Sequence, residues 1–147
     1  MSSHPHFISS YLHSSQPIYR EFIHWVRSDI TFDASGACTS AGTQQEVLSY
    51  CGPAPPHSSG MHRYVFLLYE QPAAATPADL AASFEGRGGK HAHVSATACG
   101  LGQLRGWDWI ECEWAPCVDA VHDSLSFLPP PEYQSPKQKA AAAAAAA

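Results

Sequence analysis

The chain has few basic residues, and none of them are gathered together. Eight Lys+Arg stand against 13 Asp+Glu, for a formal net charge of −5 over 147 residues, and no stretch concentrates positive charge. That distribution lacks the electrostatic footprint of a nucleic-acid binder, so nucleic acid is not an expected partner. Metal patterns are missing as well. There is no HExxH and no CxxC, and His91 and His93 have no nearby partners in sequence, so no metal or other cofactor is expected despite nine histidines. No GxSxG or other nucleophile motif is present, and no carboxylate lies near the central histidines to orient one as a base, which argues against an enzyme. Five cysteines, an odd count, with no signal peptide in view, read as reduced thiols and a cytoplasmic protein. No run approaches the roughly 18 apolar residues of a membrane span, so peripheral membrane contact is the most to expect.

What is present divides into three parts. Residues 1–16 are polar and rich in His and Ser without a sustained period, and read as a mobile leader. Residues 17–127 carry the foldable domain. From Leu128 the chain runs LPPPEYQSPKQK into eight alanines, and residues 128–147 read as a disordered Pro/Ala-rich tail.

Within the domain, YREFIHWVRSDITF (Tyr19 to Phe32) alternates Phe22, His24, Val26 and Ser28 against Ile23, Trp25, Arg27 and Asp29, the period of a strand. RYVFLLYE (Arg63 to Glu70) is apolar on both faces, as in a central strand. GWDWIECEW (Gly106 to Trp114) gives a third. Pro77 opens a short helix through Phe84, Val94 to Leu101 a second, and a third begins near Pro116 with Val118, Val121, His122, Leu125 and Phe127 at helical spacing. Asp33 to Gln45 reads as a loop. Strands joined by long Pro/Gly loops, with short helices late in the chain, predict a mainly β sandwich with peripheral helices.

The chemistry concentrates around CGPAPPHSSGMHRYVF, Cys51 to Phe66. On a strand, His62 and Tyr64 share a face while Arg63 points the other way, toward a salt bridge. His24 joins them if the two strands are neighbours. Two imidazoles and a phenol suit an anion, and backbone N–H groups between Ser58 and Met61 add donors where the turn is left-handed.

YREFIHWVRSDI followed by LSYCGPAPPHSSGMHRYVFLLYEQ strongly resembles the phosphatidylethanolamine-binding protein family through its long, ordered GPxPPxxxGxHRYVF pattern. The resemblance runs from about Pro17 to Phe127. It implies a central antiparallel sheet flanked by a smaller one, and a pocket for the phosphate of a small molecule or phospholipid head group. It places His24, Ala54, Pro55, His62 and Tyr64 at that pocket. It further implies a regulatory role toward a kinase, a protease or membrane signalling. A serine carboxypeptidase inhibitor is the alternative, and a structural protein of mitochondrial ribosomes a further one. The family's D-P-D-A-P stretch, whose first aspartate lines the pocket, has no counterpart in FISSYLHSSQP (Phe7 to Pro17). The resemblance therefore implies a pocket short of one wall, and missing opening strands that leave their neighbours with unpaired edges.

Overall fold

The computed structural model describes residues 3–12, 21–40 and 44–146. Its centre is a five-stranded antiparallel sheet in the order β3-β2-β1-β4-β5, with β1 at Ser3–Leu12, β2 at Phe22–Thr31, β3 at Gln45–Leu48, β4 at His62–Tyr69 and β5 at Leu104–Cys112. The mainly β class and the central antiparallel sheet are as expected. The leader is not. Residues 3–12 form β1, paired along its length with β2 on one side and β4 on the other. A Ser/His-rich segment has little intrinsic reason to be a strand; two neighbours that satisfy its backbone groups outweigh local propensity. The same placement corrects the expectation of unpaired edges beside β2 and β4. The sheet edges among the described residues are β3 and β5.

Side chains in one cross-strand row share a face. Ile23, Val26 and Leu67 thus point to one side of the sheet, where α1 (Pro77–Phe84) and α2 (Ala92–Ala98) cover them. Leu80 and Phe84 of α1 are completely buried in that core with Ile23, Val26 and Ala96, each of the larger side chains contributing about 1.5–3 kcal/mol. Thr76 caps α1 in a reciprocal box with Asp79, and Pro77 supplies the preset φ of the first helical position. Glu21 caps α2, its Oε2 accepting the Ala92 N–H at 2.6 Å.

Two irregularities in β2 matter. Trp25 faces Ile8 and Ile23 faces Ser9, so His24 is an extra residue in the ladder, a β-bulge. Ile23 and Val26 consequently both reach the helix-covered core, and the simple alternation that paired His24 with Val26 does not hold. A second register shift, between Ile30 and Arg27, contains Asp29, whose φ is 59°. Gln71 holds it there, accepting from the Asp29 N–H at 2.9 Å and donating to Oδ1 at 3.0 Å.

Residues beyond Leu128 also depart from expectation. A short 3-10 turn (Pro131–Tyr133) leads to α4, Pro136–Ala145, capped by Ser135 and Gln138 in another reciprocal box. This end of the chain docks on α3 (Val118–Ser124): Ser135 Oγ donates to the buried Asp119 at 2.7 Å, and Asp119 also accepts from Trp114 Nε1 at 3.1 Å. Those partners, rather than the alanine run, are why residues 131–145 are structured.

Candidate anion site

A cavity of about 370 Å³ opens beside the proline loop, and its lining comes from the turn carrying Arg87 and from four further segments. β2 supplies His24, β4 supplies His62 and Tyr64, the loop supplies Cys51, Ala54 and Pro56, and α3 supplies His122. Four of the five residues expected from sequence therefore line one space. Pro55 does not: its ring is fully buried and the adjacent Pro56 forms the wall. After Pro55 the loop ends in a tight turn, with the Ser59 N–H on the Pro56 carbonyl at 3.2 Å.

β2 and β4 are not neighbours, since β1 lies between them. The rings of His24 and Tyr64 nevertheless meet edge to face at 5.0 Å between centroids. The bulge achieves this by turning His24 out of the core alternation.

Hydrogen bonds fix each ring. The Cys51 carbonyl lies 2.9 Å from His24 Nδ1, and a carbonyl only accepts, so Nδ1 carries the proton. Ser59 Oγ donates to the Pro56 carbonyl at 2.6 Å, so at 2.7 Å it accepts from His62 Nε2–H. His122 Nε2 donates to the Ala54 carbonyl at 3.0 Å, while its Nδ1 accepts from Gln138 at 3.2 Å. The serine and the glutamine thus each select one tautomer of a cavity histidine.

Burial sets the charge state. Desolvation lowers His24 to about 4 against its hydrogen bond to the Cys51 carbonyl, which raises it, and desolvation lowers His62 to about 4. Both rings are neutral at pH 7. Burial pushes the Tyr64 phenol well above its ordinary range, so it keeps its proton. Fixed positive charge comes from Arg87, a residue that sequence reading did not select. It stands in the GRGG turn at φ 21° and lines the cavity. Its guanidinium donates to the carbonyls of Ile23, His24 and Ser49 at 3.1, 3.1 and 2.8 Å, tying β2 to the segment after β3.

Arg63 points away from the cavity, paired with Glu111 at 3.0 Å and lying over Trp109 at 4.7 Å, as the strand period predicts. Ser58 and Gly60 have φ of 59° and 79°, so the expected left-handed turn exists. His122 was legible as a polar residue on the apolar face of the third helix. Arg87 had only a weak signal, a lone cation between glycines. All five cysteines are free, and no cluster that could hold a metal occurs among the described residues.

Comparison with known proteins extends this geometry. The chain is 41% identical over 66 residues to the carboxypeptidase Y inhibitor of Saccharomyces cerevisiae, covering 37% of this chain and 30% of that protein. It is 42% identical over 59 residues to the rice (Oryza sativa) protein MOTHER of FT and TFL1 homolog 2, covering 40% and 30%. The chain thus spans less than a third of the length of these curated relatives. Among solved structures, a carboxypeptidase Y inhibitor complexed with its cognate proteinase superposes with a TM-score of 0.63 at 23% identity, over 78% of this chain and 61% of that one. A phosphatidylethanolamine-binding protein from Plasmodium vivax gives 0.53 at 17%, over 76% and 64%. These two likenesses establish a shared fold. A match to the family description "Phosphatidylethanolamine-binding protein" extends from residue 13 to residue 105, across the strand carrying His24 and the loop and strand carrying His62 and Tyr64, and the chain belongs to that family.

Proposed function

We propose that this chain binds a phosphate-bearing small molecule or phospholipid head group in the cavity around His24, Ala54, His62 and Tyr64, and regulates a protein partner without chemistry of its own. The observation that carries this reading is the convergence of His24, His62 and Tyr64 on one cavity whose wall includes Arg87. A phenol that keeps its proton donates to an anion, each histidine gains a donor by taking up one proton, and the guanidinium favours negative charge throughout. The orientation of the histidines supports binding rather than catalysis. A backbone carbonyl holds Nδ1 of His24 and a serine hydroxyl holds His62, where a general base would have a carboxylate. The direct test is a titration with phosphorylethanolamine followed through the ring signals of His24 and His62. Movement at millimolar ligand supports the site; rings that stay put remove it.

The likeness to a carboxypeptidase Y inhibitor seen with its proteinase favours a second reading, in which the regulated partner is a serine carboxypeptidase. Inhibition of such an enzyme at micromolar protein is its test, and a kinase is the competing partner. Among the described residues no helix is long and apolar enough to cross a membrane.

A further inference from the structure

A second and larger space, about 790 Å³, adjoins the cavity and shares three of its residues, Phe22, Arg87 and Phe127. Beyond that partition its surface is mainly apolar. Val47 and Leu48 of β3 form one side, Ala81 and Ala82 of α1 the other, and Gly86 contributes open space where a side chain would otherwise stand. Glu85 is its acidic residue. The groove is open, whereas His24, His62 and Tyr64 of the adjoining cavity are nearly inaccessible. Arg87 keeps the boundary fixed, because its guanidinium is held by three backbone carbonyls from two segments.

The geometry points to one ligand for both spaces: a single-chain phospholipid whose phosphate sits in the cavity and whose acyl chain passes Phe22 and Phe127 into the groove between β3 and α1. This assignment rests on the anion reading of the cavity. What it adds is a chain subsite: the groove that shares Phe22, Arg87 and Phe127 with the cavity takes one chain. Continuity through shared residues selects this occupant. A separate apolar partner would have no reason to meet the groove at the mouth of a buried polar site. A small-residue face on α1 leaves room for methylenes, and each one withdrawn from water strengthens binding by about twofold to fourfold according to how completely it is covered.

The test compares glycerophosphoethanolamine with lysophosphatidylethanolamine carrying eight or ten carbons, below its micelle concentration, by calorimetry on the full chain and on Ala82→Trp. Ala81 and Ala82 are exposed, so tryptophan at either fills the groove without disturbing the core; Ala81→Trp is the second variant. The expected result is binding at least about tenfold tighter for the lysolipid than for its deacylated head, a gain lost in both variants while head-group affinity is unchanged. Equal affinity for the two ligands overturns the chain subsite and leaves the anion site standing. Lysolipid binding without head-group binding, or equal binding of the uncharged amphiphile decyl maltoside, overturns it by separating chain from phosphate. Binding of neither ligand removes both readings. Loss of a dimer in Ala82→Trp by sedimentation would assign the groove to a second copy of the chain instead.

Discussion

The rings of His24 and Tyr64 touch edge to face at 5.0 Å although a whole strand, β1, separates the strands that carry them. Tyr64 is therefore both a wall of the cavity and a packing partner of its neighbour across the sheet. Tyr64→Phe keeps the ring and removes the hydroxyl. Sulfate affinity should fall about tenfold in the same variant, measured by calorimetry, because one donor charge-assisted by the ligand is lost.

Stability should fall on mild acidification. Both His24 and His62 have folded values near 4, below the ordinary 6.5. The unfolded chain therefore takes up protons first, and the contribution of the two rings is fully present above about pH 6.5 and lost as pH falls toward 4. Denaturant melts at pH 7, 6, 5 and 4 check this. The variant His24→Gln, His62→Gln should show a flatter profile across that window.

Anion binding should run against that slope. A dianion favours the protonated ring, so binding takes up protons and affinity rises between pH 7 and pH 5, approaching tenfold per pH unit for one proton. Sulfate is the suitable probe because it stays a dianion throughout, whereas phosphate itself titrates. A flat sulfate affinity would mean that Arg87 and Tyr64 hold the anion without the histidines.

Ser59 sets which nitrogen of His62 bears the proton. Ser59→Ala removes the acceptor of Nε2–H, and the ring should pass from one tautomer to a mixture. Nitrogen chemical shifts of a histidine-labelled sample report this directly. Melting should change by no more than about 1 kcal/mol, the usual net worth of one hydrogen bond.

The end of the chain should matter to the cavity. Gln138→Leu leaves His122 Nδ1 without its donor, and Ser135→Ala takes one partner from buried Asp119. Each should destabilise by about 1–3 kcal/mol. Hydrogen exchange at the backbone beside Ala54 should accelerate in Gln138→Leu, because His122 is what holds that carbonyl.

Much of the site was readable because it depends on local rules. The period of two put His62 and Tyr64 on one face and sent Arg63 to Glu111, and the proline loop marked where the strand begins. What stayed hidden depends on distant partners. β1 is a strand through its neighbours rather than its residues. α4 carried a legible signal, Ser135 three residues before Gln138, obscured by the alanines that follow. Arg87 is significant only because three carbonyls converge on it, and convergence of that kind has no one-dimensional trace. The alternation in β2 misled for a definite reason: a bulge changes its phase at His24.

That bulge carries a last consequence. With His24 removed, Ile23 and Val26 would stand two apart, the spacing that places both in the core of an unbroken strand. The histidine is thus an insertion into a strand whose folding pattern is already complete without it. Architecture and recognition are separable at this position: a chain lacking His24 would keep its sheet in register and lose one wall of its cavity.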